Sequence, residues 1–395
     1  MDTFARPAAP PIDVRALREA EFPFIGSAPY LNAASAGPLP ERARRAVDAY
    51  NRRRAGVHEL TADDFEPTLQ RARAAAARLI GADAGEIALL PNTSYGINLA
   101  AHTLPVARGQ RIVVSALEFP ANVYPWLRLE RAGAAKVEIV PADPLGRPDE
   151  ARIFAALDQG DVGIFALSAV QFATGWSADL AKFGSFCAER GIFFVVDAIQ
   201  SLGQVPTDVR AAGVDVLAAG GHKWLCAPFG TGFAYVRREL LPRLDPTVVG
   251  WTAVRASADL AEVCGYRWEP WDDARKFEVS TQPWQDYAGF AESVELLLEV
   301  GIERIRAHVL GLLNPLVGWL QGESGWEIVS GLEPARRSGV FAFRPQGPRA
   351  AFRALRRAGV GCVLREGAVR LSPHLYNTPD DVAAVMDVLA SPERW

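Results

Sequence analysis

Lysine is scarce in this chain. Of 42 Lys and Arg residues, only Lys136, Lys182, Lys223 and Lys276 are lysine. Lys223 stands in Ala218-Ala219-Gly220-Gly221-His222-Lys223-Trp224-Leu225, just after the apolar stretch Val214 to Ala219. An amine so placed is partly desolvated, which lowers its pKa and exposes a nucleophilic lone pair. Arginine cannot do this, because it stays protonated and makes no imine. Asp197, 26 residues upstream, ends the apolar run Ile192-Phe193-Phe194-Val195-Val196. Each residue has a plain alternative: a solvated loop lysine, and a turn or N-cap carboxylate. Lysine scarcity, the glycine-flanked strand end and the partner Asp favour chemistry. A Lys that holds an aldehyde as an imine and an Asp that keeps a pyridine nitrogen protonated form the pair required by pyridoxal 5'-phosphate (PLP).

Two further groups extend the pattern. Pro91-Asn92-Thr93-Ser94-Tyr95-Gly96-Ile97-Asn98 follows a strand and opens a helix. The hydroxyls of Thr93 and Ser94 and the helix-start N–H groups suit a phosphate, although a plain helix cap would read the same way. Arg370, in Ala368-Val369-Arg370-Leu371-Ser372, lies on a short strand and could clamp a carboxylate with two parallel hydrogen bonds. Taken alone, it is one arginine among many. A GxxxxGK[ST] loop, a GxGxxG turn after a strand, HExxH and GxSxG are all absent, and the five histidines show no metal-ligand spacing.

These residues need elements to position them. Apolar runs predict strands over Glu86–Leu90, Arg111–Ala116, Lys136–Val140, Val162–Ser168, Ile192–Val196, Val214–Ala219 and Gly232–Val236. Helical patterns fall between them at Ser94–Leu104, Asn122–Ala132, Glu150–Leu157 and Leu180–Arg190. Continuous apolar strands alternating with helices indicate a mostly parallel sheet covered on both faces. Ligands of such sheets sit beyond the strands' carboxyl ends, where Asp197 and Lys223 both fall. Long helices are expected over 289–320, followed by a second α/β pattern. The expected division is an arm at 1–29 packed with the small domain, a large domain at 30–290 and a small C-terminal domain at 291–395.

Composition sets the outer bounds. The chain has 395 residues, is 49% hydrophobic and carries net charge −4, which gives no electrostatic case for nucleic acid or anionic membrane. No apolar run approaches the roughly 18 residues of a membrane span. The N-terminus lacks a signal-peptide core, and Pro7–Pro11 reads as a mobile tail. Cys187, Cys226, Cys264 and Cys362 are scattered, as free thiols of a reducing compartment would be. A cytoplasmic protein is expected.

Together the motifs resemble the class V aminotransferase family of PLP enzymes, which also holds cysteine desulfurases, isopenicillin N epimerase-like proteins and kynureninase. The resemblance runs from Tyr30 to the C-terminus. Tyr30-Leu31-Asn32-Ala33-Ala34-Ser35-Ala36-Gly37 is similar to the family's opening strand and substrate-side loop, which implicates Asn32 and Ser35. Asn92-Thr93-Ser94 with Asn98 resembles its phosphate turn. Asp197-Ala198-Ile199-Gln200 is similar to its pyridine-nitrogen Asp and a Gln near the ring oxygen. Gly221-His222-Lys223-Trp224 resembles its phosphate-contacting His and imine-forming Lys. Phe277-Glu278-Val279-Ser280-Thr281 resembles the segment that reaches a phosphate across a dimer, and Arg370-Leu371-Ser372 with Tyr376-Asn377-Thr378 its carboxylate-binding Arg. The resemblance implies PLP fold type I and a homodimer with shared active sites.

The departures bear on the reaction. Desulfurases stack a His on the cofactor ring in a Glu-His-His-Ala-Asn segment; here Glu118-Phe119-Pro120-Ala121-Asn122 offers Phe119, which can stack but cannot carry protons. Their Cys sits on a longer loop before the Arg, whereas Cys362 to Arg370 runs strand to strand and places Cys362 in the core. The expectation is a PLP-dependent aminotransferase acting on an amino acid. A C–S lyase or an epimerase is the alternative, and a non-catalytic PLP-binding regulator a third.

Overall fold

A computed structural model of the chain describes residues 12–391, apart from 27, 57–59, 260 and 262. Pro7–Pro11 and His58 lie outside these residues. Three helices precede the first strand: α1 (Val14–Glu21), α2 (Glu41–Ala55) and α3 (Ala62–Ile80). Then come β1 (Ile87–Leu89), α4 (Thr93–Thr103), β2 (Arg111–Ser115), α5 (Tyr124–Arg131), β3 (Lys136–Val140), α6 (Glu150–Leu157), β4 (Val162–Ser168), α7 (Leu180–Arg190), β5 (Phe193–Asp197), β6 (Val216–Gly220) and β7 (Gly232–Val236). The seven strands make one sheet in the order β1-β7-β6-β5-β4-β2-β3. The pairs from β6 through β3 are parallel, and β7 is antiparallel to both β6 and β1.

The strands read as unbroken apolar runs because both faces are covered. In β6, Val216 and Ala218 join the cluster under α4 and α5, while Leu217 and Ala219 join the larger cluster under α3, α6 and α7. β5 alternates in the same way, with Phe194 and Val196 on one face and Val195 on the other.

Beyond the sheet run α8 (Trp284–Val300) and α9 (Ile302–Gly322). A second sheet follows, built from β8 (Glu327–Ile328), β9 (Phe341–Arg344), β10 (Val363–Arg365) and β11 (Ala368–Leu371), all antiparallel, in the order β10-β11-β9-β8. Helices α10 (Pro348–Arg357) and α11 (Pro379–Leu389) accompany it. Leu31 packs in this sheet's core, and Arg18 of α1 pairs with Asp381 at 3.1 Å, so the N-terminal elements reach the C-terminal ones. Among the described residues, no helix is long and apolar enough to cross a membrane.

Candidate active site

β5 ends on Asp197 and β6 ends on Gly220, three residues before Lys223. Because β5 and β6 are parallel neighbours, both groups emerge at one edge of the sheet. The Lys223 turn is tightly bonded. Cys226 N–H donates to Lys223 O at 3.0 Å, Ala227 N–H to Gly221 O at 2.9 Å, and Gly37 N–H to His222 O at 2.9 Å. The turn forces Cys226 to φ 52°. It also explains Gly37, where a Cβ would lie 2.1 Å from Lys223 O.

Lys223 keeps part of its surface exposed, yet protein surrounds the amine. Burial pulls its pKa from 10.5 down to about 8; Asp197 opposes this, and Arg370 and Arg365 reinforce it. Asp197 moves the other way. Burial raises it to about 6, against an Ile199 N–H at 3.0 Å and the Lys223 charge.

Phe119 forms one wall. Lys223 Nζ lies 5.4 Å from its ring centroid, and Phe172 meets it edge-on at 5.3 Å. The segment bearing Phe119 is held by buried polar contacts. Leu117 takes φ 57°, and its carbonyl accepts from Gln171 Nε2. The Glu118 carboxyl accepts from Ser168 N–H at 2.8 Å, from Ser168 Oγ, and from Asn122 Nδ2 at 3.2 Å. Ser168 is the β4 residue paired with Asp197. Burial pushes Glu118 up to about 7, and the Asp197 charge adds to it.

Helix α4 points its N-terminus at this edge. Asn92 caps it by accepting from Tyr95 N–H at 2.9 Å. Thr93 Oγ1 accepts from Gly220 N–H at 2.9 Å, which leaves its hydroxyl hydrogen to donate, and Ser94 is exposed. Gly96 permits the approach, since a Cβ there would lie 2.6 Å from Ala218 Cβ on β6. His222 is half-buried, stacks on Phe229 at 5.0 Å and has its pKa lowered by burial and then by Lys223. Backbone donors and hydroxyls at the start of α4, bonded to the end of β6 through Thr93, and the imidazole two residues beyond that end are groups suited to an anion.

Arg370 reaches across from the second sheet. It is 2% exposed; Nη1 donates to Phe172 O at 2.6 Å and Nη2 to Ser35 Oγ at 3.0 Å. Its Nε is buried without a partner, and among the described residues no acid is paired with it. Burial drags its pKa down to about 9, with Arg365 adding to the effect. Asn32 Oδ1 is likewise buried and unpartnered. A buried cation without a counter-ion is costly unless a ligand supplies the anion.

Two of the expected site residues make other contacts within one chain. Gln200 is committed to protein at both amide ends: Nε2 donates to Ala34 O at 3.0 Å and Oε1 accepts from Trp224 Nε1 at 2.8 Å. Only its second Nε2 hydrogen is left for anything else. Thr281 is exposed and lines a separate cleft with Phe65, Trp251, Trp271 and Trp284, so within one chain it does not join the Lys223 group. Its segment is anchored by Glu278, which pairs with Arg73 through two bonds of 3.0 and 2.8 Å and accepts from Leu89 N–H at 3.0 Å. Sequence reasoning did not find Glu118, Ser168, Phe172 or His374. Each contacts a partner distant in sequence, and none carries a local signature.

The arrangement fits PLP: a buried acid for a ring nitrogen, a depressed lysine for an aldehyde, donors for a phosphate and Phe119 for a ring face. The comparisons agree. The "Aminotransferase class-V" family profile matches residues 30–385. A "Probable cysteine desulfurase" of Methanothermobacter thermautotrophicus is 31% identical over 93% of this chain and 96% of its own. The "Uncharacterized aminotransferase YcbU" of Bacillus subtilis is 27% identical over 94% of this chain and 96% of its own. The apo structure of the cysteine desulfurase from Thermococcus onnurineus NA1 superposes with a TM-score of 0.85 at 24% identity, covering 100% of this chain and 99% of that one. The fold is thus PLP fold type I, as expected from the sequence. With a profile match from the Tyr30 loop to the last helix, around a lysine and an acid at adjoining strand ends, the chain belongs to the class V aminotransferase family of PLP-dependent enzymes.

Proposed function

We propose that this enzyme is a PLP-dependent C–S lyase that releases sulfur from a cysteine-type amino acid by β-elimination. The observation that carries an amino-acid substrate is Arg370. Its buried guanidinium, with no acid beside it among the described residues, lies near enough to Lys223 to lower that amine's pKa and suits an α-carboxylate. The reading at the C–S bond is supported by the name of the relative 31% identical over nearly the whole chain, and the aminotransferase expectation gives way to it.

Bound PLP supplies an aldehyde for Lys223 and an electron-accepting ring. Asp197 holds the proton of the ring nitrogen. Thr93, Ser94, His222 and the start of α4 bind the phosphate, with Thr281 supplied by the second protomer of a homodimer. The spare Gln200 N–H would be the donor left for the ring oxygen. Phe119 would lie against one face of the ring and offer no base there, which suits elimination from one side better than two-base epimerisation. Arg370, steadied by Ser35 and flanked by Asn32, orients the substrate so that its α-hydrogen faces Lys223. Lys223 Nζ, freed when the substrate amine takes its place on the aldehyde, would remove that proton as the C–S bond breaks, and would pass it to the departing sulfur. The electron pair leaves with sulfur as sulfide, and water hydrolyses the released enamine to pyruvate and ammonia.

A desulfurase would instead hold the sulfur on a protein thiolate. Cys187, Cys226 and Cys362 are buried, and burial pushes Cys187 up to about 12 and Cys362 up to about 11. Neither is a nucleophile at neutral pH. Cys264 is exposed, on the turn Val263–Gly265, and is the thiol to remove. The test is to supply cysteine to wild type and to Cys226→Ser, Cys264→Ser and Cys362→Ser. Equal yields of pyruvate and sulfide in all four support the lyase. Alanine formation abolished by one substitution would assign a desulfurase, and amino transfer to a 2-oxo acid without sulfide would assign an aminotransferase.

A further inference from the structure

The residue after the reactive lysine is unusually constrained. Trp224 is fully buried, and its carbonyl lies 2.8 Å from His374 Nε2. Because a carbonyl only accepts, Nε2 carries the hydrogen, and Nδ1 is left as a buried acceptor with no partner. The indole of Trp224 donates to Gln200 Oε1 at 2.8 Å, and Gln200 Nε2 donates to Ala34 O at 3.0 Å. Ser35, the next residue, accepts from Arg370 at 3.0 Å. Arg370 precedes His374 by four residues on the same segment. That segment is pinned at Ser372, whose Oγ accepts from Ala34 N–H at 3.0 Å and whose N–H donates to Leu31 O at 2.7 Å. The contacts therefore close a circuit: Arg370, Ser35, Ala34, Gln200, Trp224, His374 and back to Arg370.

We propose that His374 is a positioning residue for Lys223, tying the peptide that bears the reactive amine to the segment that bears the carboxylate clamp. Stability alone does not account for a histidine here. Its ring packs on Trp224 at 5.1 Å and on Tyr376 at 5.7 Å, which a phenylalanine would do without burying an unsatisfied nitrogen. What histidine adds is the bond to the Trp224 carbonyl. Gly203 also packs against this carbonyl, so closely that a Cβ there would sit 2.4 Å from the same oxygen. Burial holds the imidazole pKa down at about 4, so the ring stays neutral and keeps one donor across the working range. A fixed Trp224 carbonyl holds the Lys223 turn in register with Arg370, so a substrate gripped by its carboxylate presents its α-hydrogen to Nζ.

The inference rests on Lys223 being the reactive amine, and its first readout requires neither cofactor nor turnover. Hydrogen exchange of the apo-protein would follow the amides of Cys226 and Ala227, which close the Lys223 turn. His374→Phe removes the donor and keeps the ring; His374→Gln keeps a donor. His374→Phe should speed exchange at these two amides roughly tenfold or more, with little change elsewhere. In the holoenzyme it should lower kcat by roughly 10- to 100-fold with KM nearly unchanged, the cost of a small misplacement of a reacting group. His374→Gln should restore most of both. Wild-type exchange at these amides in folded His374→Phe would overturn the proposal. So would acceleration spread evenly over the chain, or a His374→Gln protein that behaves like the phenylalanine variant. Should the phenylalanine variant fail to fold, His374→Gln decides: loop exchange and kcat near wild type uphold the role, and lost kcat with unchanged exchange refutes it. A protein with this exchange pattern but no sulfide release would fail the lyase reading and keep this one.

Discussion

Lys223 should betray itself in the apo-protein by its titration. The perturbation is pH, and the probe is a small aldehyde with cyanoborohydride, read by peptide mass. Burial brings the amine from 10.5 to about 8. At pH 7 an amine of pKa 8 is about 9% neutral, against about 0.03% for one at 10.5, a ratio of about 300. A weaker base is also a weaker nucleophile. If amines follow the slope known for thiols, just over one logarithmic unit is given back, leaving an advantage on the order of 20-fold. The sign follows from the depressed pKa: labelling of Lys223 should climb to about pH 8 and then level off, while an ordinary lysine keeps climbing toward its own pKa of about 10.4. Lys182, paired with Glu150 at 3.0 Å on the surface, serves as the internal reference. The neighbours give a second check. Asp197 raises the amine and Arg370 lowers it, so Asp197→Asn should move the midpoint down and Arg370→Met should move it up. Slower labelling of Lys223 than of Lys182 at pH 7, or no plateau by pH 9, would refute the reasoning.

Three further outcomes are expected. Arg370→Lys should raise the amino-acid KM about tenfold or more, because an ammonium cannot reproduce the fork and charge-assisted bonds are worth about 1.5–3 kcal/mol; the cofactor absorbance should not change. Gly37→Ala puts a Cβ 2.1 Å from Lys223 O and should cost about 1–3 kcal/mol in chemical denaturation, with activity falling alongside; an unchanged midpoint would contradict the packing. Glu118 has its folded pKa raised from 4.5 to about 7, so the native state keeps its proton longer than the unfolded chain. Stability should therefore fall as pH rises from 4.5 through 7, by at most about 3 kcal/mol from this group, and Glu118→Gln should flatten that slope in denaturation curves taken across the range.

The central sheet was legible because strands covered on both faces are apolar throughout, and such runs stand out without periodicity. β3, β4, β7, α6 and α7 fall where expected to the residue. The N-terminal helices were not read. α2 buries only Glu41, Ala43 and Tyr50 of its 15 residues, so no apolar stripe marks it. Small positions showed the same limit: Gly37 and Gly96 look like any other glycine until the Lys223 carbonyl and Ala218 come against them.

For the site, the sequence by itself determined the pair Asp197 and Lys223, since a strand's end is marked by where its apolar run stops, and ligands of parallel sheets gather at those ends. It also offered Thr93 and Ser94 through the strand-to-helix junction. Tertiary structure alone decided the rest. Arg370 and Ser35 are 335 positions apart, Glu118 and Ser168 are 50 apart, and His374 and Trp224 are 150 apart. No local pattern links such pairs, because the free energy of a buried polar contact depends on what burial brings beside it. The same fact leaves Gln200, taken up by Trp224 and Ala34, with a single N–H for a ligand. It also makes Arg370, among the described residues, a buried arginine without an acid beside it.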